Sequence, residues 1–261
     1  MEQRHVLLVT LPVQGHINPS IQFATKLIKM GIHVTFVTSI SARRRLADTN
    51  GLTFLGFSDG FDDGFKLCDD ADKFMDAMRS NGSTALRGAI AAAAEEGLPV
   101  TCLVYTLLLP WATEVARELH IPSTLLWVQP ATVLCIYYHY FNGFADEINE
   151  KSDNPGWKIE IPEAPPLLKT DLPSFLLPSS SSEALAAFKE QFDVLDAEPS
   201  KPKVFVNTFH SLEAEALASI DRYELIGVGP LIPSIRSYTY SSTYASHAST
   251  MQMEEKEASR L

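Results

Sequence analysis

Cysteine is scarce in this sequence. The chain has only three cysteines, Cys68, Cys102 and Cys135, an odd number at wide spacing. Cys102 and Cys135 lie inside apolar runs, where buried thiols are common. An odd number of widely spaced cysteines does not suit a disulfide framework or a zinc site. We therefore expect a reducing compartment, a cytoplasmic location and no metal site.

Basic residues are also few. The chain carries 21 lysines and arginines against 32 aspartates and glutamates, which gives a formal net charge of −11. The only cluster of basic residues in the sequence is Arg43-Arg44-Arg45. Nucleic acids and anionic membrane surfaces attract proteins through a basic face. The composition therefore argues against both as partners.

No apolar run is long enough for a membrane span. The longest such stretch, residues 121–138, contains Pro122, Ser123, Gln129 and Pro130, whereas a spanning helix needs about 20 apolar residues in succession. Near the N-terminus, residues 6–13 are apolar, but no basic leader or small-residue cleavage site accompanies them. This pattern predicts a strand and not a signal peptide. We expect a soluble protein without a membrane span.

The glycine-rich loops of common nucleotide-binding proteins are missing. The first apolar run leads into the stretch LPVQGHINPS, residues 11–20, in which Gly15 is the only glycine. Neither the G-x-G-x-x-G pattern nor the G-x-x-x-x-G-K-S/T pattern is met. An NAD-dependent oxidoreductase therefore remains only as an alternative.

The sequence does contain a regular alternation of strand and helix patterns. The predicted strands are residues 5–11, 33–38, 52–57, 101–105, 124–128, 204–208 and 224–228. The predicted helices are residues 18–30, 70–95, 110–119, 131–141, 182–195 and 211–219. Most of the strands are continuous apolar runs, as expected for strands covered on both faces. The pattern predicts an α/β fold with a Rossmann-like, doubly wound parallel sheet.

Two regions interrupt this alternation. Residues 151–181 are rich in proline and end in a serine run, which predicts a long ordered loop or an excursion over one face of the sheet. From Ser234 onward the sequence is rich in Ser, Thr and Tyr without apolar periodicity. We therefore expect one domain over residues 1–233 and a disordered tail over residues 234–261.

A histidine follows the first predicted strand. Ligands of an open parallel sheet bind at the carboxyl ends of its strands, so His16 should point at the active-site edge. Asn18 is a predicted N-cap and Pro19 a predicted first helical residue. His16 would then lie just before the positive end of a helix dipole, which disfavours imidazolium and suits a general base near pH 7. The alternative is a loop histidine that bonds only to the backbone.

Several stretches carry a family resemblance. Residues 11–19, LPVQGHINP, resemble the opening motif of plant family 1 UDP-sugar glycosyltransferases, which have the two-domain GT-B fold. Other matching stretches follow in family order over residues 4 to 233: Phe57-Ser58-Asp59-Gly60-Phe61, Cys102-Leu103-Val104-Tyr105, Leu109-Pro110-Trp111-Ala112, Val206-Asn207-Thr208-Phe209 and Gly229-Pro230-Leu231-Ile232-Pro233. The similarity is greatest to the branch of anthocyanin 5-O-glucosyltransferases and crocetin glucosyltransferases.

The resemblance implies an inverting, UDP-glucose-dependent O-glucosyltransferase of a small plant metabolite such as a flavonoid or anthocyanin. In such an enzyme His16 would deprotonate the acceptor hydroxyl that attacks the anomeric carbon of the sugar. The implied partners are an aromatic or hydroxylated acceptor and UDP-glucose, which is a co-substrate and not a cofactor. No cofactor is implied.

One departure from the family concerns the partner of His16. The family usually orients its histidine with an aspartate at the end of the strand that contains residues 103–105, and this sequence has Thr106 there. An aspartate fixes the ring tautomer and stabilises the imidazolium. A threonine hydroxyl can accept the ring N–H but offers no charge. Thr106 therefore either orients His16 or only ends a strand.

A second departure concerns the nucleotide sugar. The family binds it mainly through a second domain whose signature includes a His-Cys-Gly-Trp-Asn-Ser run, and this run does not occur in the sequence. We expect the donor-binding domain to be absent, so that a UDP-sugar would bind only if such a domain were supplied. The alternative function is therefore that of a catalytically inactive, acceptor-binding fragment.

Acceptor-binding residues are expected around His16. A flat aromatic acceptor needs apolar walls, which some of the aromatic residues near the predicted strand ends could supply, although any one of them could instead belong to the core. The predicted acceptor-binding residues are Gln14, Gly15, Phe61, Trp111, Gln129 and Tyr137.

An acidic loop follows the third predicted strand. Asp59, Asp63, Gly64 and Asp70 fall at positions 1, 5, 6 and 12 of an EF-hand loop, but Phe61 occupies position 3 and a strand precedes the loop. These departures argue against calcium and favour a solvated acidic loop beside the acceptor cleft.

Overall fold

The structure is a computed structural model that describes residues 4–66, 69–151, 156, 158–162, 166–177 and 182–233. The predictions for Cys68 and for the tail at residues 234–261 lie outside the described residues.

A seven-stranded sheet forms the centre of the fold. Its strands are His5–Val9 (β1), His33–Ser39 (β2), Leu52–Phe57 (β3), Cys102–Thr106 (β4), Ser123–Trp127 (β5), Lys203–Val206 (β6) and Glu224–Gly227 (β7). They pair in the order β3-β2-β1-β4-β5-β6-β7, and every pair is parallel. The predicted strands and the predicted parallel, doubly wound sheet are confirmed.

Helices connect the strands. They are Gln14–Lys29 (α1), Ile40–Arg43 (α2), Ala71–Glu95 (α3), Trp111–Glu118 (α4), Ala131–His139 (α5), Ala145–Lys151 (α6), Ser182–Asp196 (α7) and His210–Ala218 (α8), with a π-helical turn over Tyr140–Phe144. The predicted helices are confirmed, but α2 and α6 were not predicted. Helix α2 is a single short turn capped by Ser39, and α6 follows Gly143, whose φ of 108° interrupts the helical pattern.

Successive side chains of each strand point to opposite faces of the sheet, and each face is buried in a separate hydrophobic core. Leu7, Leu103 and Tyr105 belong to the larger of two cores, whereas Leu8 and Val104 belong to the smaller one. All five of these side chains are at most 2% exposed. This burial explains why the central strands are continuous apolar runs.

The described part of the proline-rich region packs on the larger core. Ile159 and Leu167 form an isolated antiparallel bridge, and both side chains are buried in that core. Two short 3-10 helices follow, Lys169–Asp171 and Ser174–Leu176. In these residues the predicted excursion is therefore an ordered segment.

The order of the strands leaves a crevice at the carboxyl ends of β1 and β4. After β3 the chain returns to the centre and places β4 on the other side of β1. The connections that leave β1 and β4 therefore diverge at the carboxyl ends of these strands, which is the usual ligand-binding position in open α/β sheets. The register pairs Val9 with Tyr105, so Thr10 and Thr106 come next on the two strands.

Gly82 allows α3 and α4 to approach closely. A Cβ atom at Gly82 would lie 2.4 Å from the indole ring of Trp111, whereas one at Gly88 of the same helix would meet nothing within 4 Å. We expect Gly82→Ala to lower the free energy of unfolding by about 1–3 kcal/mol, because the buried ring must move. Gly88→Ala should raise it by about 0.5–1 kcal/mol. Urea denaturation measures the free energy of unfolding of both variants. Equal changes of the same sign would contradict the close contact between Gly82 and Trp111.

Candidate functional site

His16 lies in the first turn of α1. The helix begins at Gln14 after the extended residue Val13, and the Val13 carbonyl accepts hydrogen bonds of 3.0 Å from the N–H groups of His16 and Ile17. The predicted start at Asn18 and Pro19 is therefore wrong by about one turn. Pro19 has no N–H to donate to the carbonyl of Gly15, and the helix tolerates it because Gly15 is exposed and its carbonyl can bind water.

Thr106 is the hydrogen-bonding partner of His16. The Nδ1 atom of His16 lies 3.0 Å from Oγ1 of Thr106. Thr106 is the last residue of β4 and is 0% exposed. The backbone N–H of Leu11 also donates to the same Oγ1 atom, at 3.2 Å. The structure thus brings together the two predicted catalytic residues at the diverging ends of β1 and β4, while their chemical roles stay predictions.

Burial controls the ionisation of His16. Desolvation lowers the pKa of His16 from its ordinary value of 6.5 to about 4, because a charged imidazolium is disfavoured away from water. The ring is therefore neutral at pH 7. One of its two nitrogens carries a proton and donates a hydrogen bond, and the other accepts one.

Other predicted acceptor-binding residues surround the same edge of the sheet. Gln14 and Gly15 are exposed beside His16, and a Cβ atom at Gly15 would meet nothing within 4 Å. Gln129 follows β5 and is half-buried, and its Oε1 atom has no hydrogen-bond partner among the described residues. Phe61 is half-buried in the loop after β3, with its ring centroid 5.4 Å from that of Phe65. Each of these residues follows the carboxyl end of a strand.

Trp111 and Tyr137 occupy the core instead. Each is 1% exposed. The ring of Trp111 packs against Gly82, and the ring of Tyr137 stacks on Phe188 with centroids 4.4 Å apart. This burial corrects the prediction that both form walls of the acceptor site, because their side chains are enclosed by neighbouring residues.

The acidic loop after β3 is held by one of its own carboxylates. Asp59 is 0% exposed, and its Oδ1 atom accepts a hydrogen bond of 2.9 Å from the backbone N–H of Phe61. Asp63 pairs with Arg44 at 3.9 Å. Among the described residues, no group of three or more His, Cys, Asp or Glu side chains could hold a metal ion. The loop therefore fixes the position of Phe61.

Glu213 supports the site in a way that the sequence did not predict. Its carboxylate accepts hydrogen bonds from the N–H groups of Ala131 (3.0 Å) and Thr132 (2.9 Å) and from the Thr132 hydroxyl (2.7 Å). It thereby caps α5, which has no side-chain cap of its own. Desolvation raises the pKa of Glu213, but the nearby Thr208 hydroxyl and the hydrogen bonds from Thr132 and Ala131 outweigh it and leave the pKa lowered. No local pattern signals this contact, because α8 lies far along the chain.

No helix in the described part of the chain is long and apolar enough to cross a membrane.

Comparisons with known proteins identify relatives of this chain. No protein-family model matches the sequence. The chain is 60% identical over 247 residues to a UDP-glycosyltransferase of Solanum lycopersicum, covering 90% of this chain and 52% of that protein. It is 52% identical over 242 residues to an anthocyanidin 3-O-glucoside 5-O-glucosyltransferase of Perilla frutescens, covering 90% of this chain and 51% of that protein. The chain spans about half the length of the curated relatives it matches.

The fold agrees with this result. The crystal structure of Os79 from O. sativa in complex with UDP superposes with a TM-score of 0.73 at 26% identity, covering 90% of this chain and 54% of that one. By sequence and by fold, the chain is a relative of the plant UDP-glycosyltransferases and shares the α/β architecture of their GT-B fold over about half of their length.

Proposed function

We propose that this chain forms the acceptor-binding part of an inverting, UDP-glucose-dependent O-glucosyltransferase that acts on a small plant metabolite such as a flavonoid or anthocyanin. The observation that carries the proposal is the contact between His16 and Thr106 at the ligand-binding edge of the sheet. It is supported by the similarity to an enzyme whose name specifies an anthocyanidin 3-O-glucoside.

The proposed reaction is a single displacement. The neutral imidazole of His16 takes the proton of the acceptor hydroxyl, whose oxygen attacks the anomeric carbon of the glucose. The new carbon–oxygen bond forms as the bond to UDP breaks, so the configuration of the anomeric carbon inverts and UDP leaves with the electron pair. Burial of His16 keeps the ring neutral at pH 7, which a base requires.

The acceptor would contact the exposed first turn of α1 and the half-buried residues that follow β3 and β5. Gln14 and Gly15 provide open space next to His16. Phe61 offers an apolar surface, and Gln129 lies half-buried after β5 at the same edge of the sheet. A polyhydroxylated aromatic molecule matches this combination of groups.

We further propose that the 261 residues bind an acceptor without binding UDP-glucose appreciably, so that this chain alone is inactive. The nucleotide-sugar signature of the family does not occur within them, and the relatives are about twice as long. The abundance of acidic residues and the scarcity of cysteine support a cytoplasmic location and no nucleic-acid partner.

Titration calorimetry of the purified chain tests this proposal. We expect measurable binding of a flavonoid aglycone and no detectable binding of UDP-glucose at the same concentrations. The double variant Gln129→Ala, Phe61→Ala should weaken aglycone binding, whereas Gly88→Ala on the exposed surface of α3 should not. Micromolar UDP-glucose binding would contradict the proposal that this chain does not bind the nucleotide sugar. Absence of aglycone binding would contradict the proposed acceptor site.

A further inference from the structure

The hydroxyl group of Thr106 has a limited hydrogen-bonding capacity. It carries one proton to donate and two lone pairs to accept with. One partner, the backbone N–H of Leu11, can only donate, so it occupies one lone pair of Oγ1. The other partner, Nδ1 of His16, can act as a donor or as an acceptor because it lies in a neutral imidazole.

The burial of Thr106 decides between these two roles. Thr106 is 0% exposed, and within the described residues its hydroxyl contacts no hydrogen-bond acceptor other than Nδ1 of His16. If Nδ1 carried a proton, two donors would point at Oγ1 and the hydroxyl proton would be buried without an acceptor. If Nδ1 is unprotonated, the hydroxyl donates to it and every group is paired. Unmade hydrogen bonds of buried groups are costly.

We propose that Thr106 donates its hydroxyl proton to Nδ1 of His16 and thereby holds the resting ring in the tautomer that carries its proton on Nε2. Thr106 is then a positioning residue that acts through His16. The assignment itself needs only the contacts of this chain, whereas its catalytic consequence rests on the proposed glucosyltransferase function.

The consequence is that the ring nitrogen left for the acceptor, Nε2, is a hydrogen-bond donor at rest. In this state His16 binds an acceptor oxygen and does not remove its proton. To serve as the base, the ring must first move its proton to Nδ1, which breaks the bond from Thr106. The family's aspartate cannot donate, so it favours the opposite tautomer, with the proton on Nδ1. An acceptor oxygen that is already ionised, such as a carboxylate, needs no base. Its reaction therefore does not require the ring proton to move to Nδ1 or the hydrogen bond from Thr106 to break.

Nitrogen-15 NMR of the imidazole groups tests the tautomer on the purified chain. The seven histidines are labelled on the ring, and the His16 signals are assigned by their loss in His16→Ala. At pH 7 the ring is neutral, because its pKa is about 4. We expect a protonated Nε2 and an Nδ1 that carries no directly bonded proton. A His16 ring with its proton mainly on Nδ1 would overturn the proposal.

Variants of Thr106 show whether its hydroxyl causes the preference. Thr106→Ser keeps the donor and should keep the Nε2 proton. Thr106→Val removes it, and the ratio of the two tautomers should shift by at least about fivefold toward the Nδ1 proton, as expected for loss of a buried hydrogen bond. Thr106→Asp should place the proton on Nδ1. An unchanged ratio in Thr106→Val would overturn the proposal, and this comparison stands even if Thr106→Asp does not fold.

This test is independent of the proposed function. The spectra require neither an acceptor nor UDP-glucose. If aglycone binding fails while the Nε2 proton is observed, only the proposed function is lost. If aglycone binds and the proton lies on Nδ1, only the tautomer assignment is lost.

Discussion

Replacing His16 by alanine should lower turnover by about 10²- to 10⁴-fold, the usual contribution of a general base. Because the chain spans about half the length of its relatives, the experiment uses residues 1–233 fused to the C-terminal half of a related plant UDP-glycosyltransferase. The acceptor should bind almost as well as before, because the imidazole acts mainly in the transition state. The loss should therefore appear in kcat and in kcat/KM together, with little change in KM.

A second histidine provides the matched control. His120 is exposed beyond the end of α4 and has a positive φ of 55°, a conformation that asparagine tolerates. The variant His120→Asn should turn over at the parental rate. If His16→Ala also kept near-parental turnover, His16 would be only a residue of the first helical turn, and the proposed mechanism would fail.

Thr106→Asp should raise the turnover of the same fusion protein by about tenfold or more. A carboxylate at this position, beside Nδ1 of His16, would hold the proton on Nδ1 and stabilise the imidazolium that forms during the reaction. The buried charge would not be isolated, because the N–H of Leu11 and the ring of His16 already point at this position. It would therefore avoid most of the cost of an unpaired buried carboxylate.

Thr106→Asn separates charge from shape in this prediction. Asparagine is close in size to aspartate but carries no charge, so it should not accelerate the reaction. The gain from Thr106→Asp should also be larger for a hydroxyl acceptor than for a carboxylate acceptor, because only the hydroxyl must lose a proton. A stable Thr106→Asp variant that turns over more slowly than the parent would contradict the orienting role of position 106.

The central strands β1, β2, β4 and β5 were predictable from the sequence because their burial is nearly complete. A strand covered on both faces must be apolar throughout, so runs such as that of β1 and β4 mark the sheet directly. The parallel order followed from the alternation with helices. The start of α1 was not predictable from capping preferences, because Val13 begins the helix with its backbone alone and Pro19 is accommodated one turn later.

The candidate site was predictable only in part. The family resemblance and the positions of His16 and Thr106 at the ends of two strands predicted that these residues lie close together. The structure shows their contact. The directions of the aromatic side chains depend on packing between distant segments: Trp111 faces Gly82 and Tyr137 faces Phe188, neither of which is near in sequence. The cap that Glu213 places on α5 likewise depends on two segments that meet only in the folded chain.

The pH dependence of kcat/KM tests the role of His16 most directly, because it reports the ionisation of the free enzyme. A base must be neutral, and the pKa of His16 is about 4. The rate of the fusion protein should therefore fall on the acid side only as the pH drops through about 4. In Thr106→Asp the carboxylate favours imidazolium and raises the pKa of His16, so the acid limb should move to higher pH. An acid limb at the same pH in both proteins would contradict the assignment of His16 as the base.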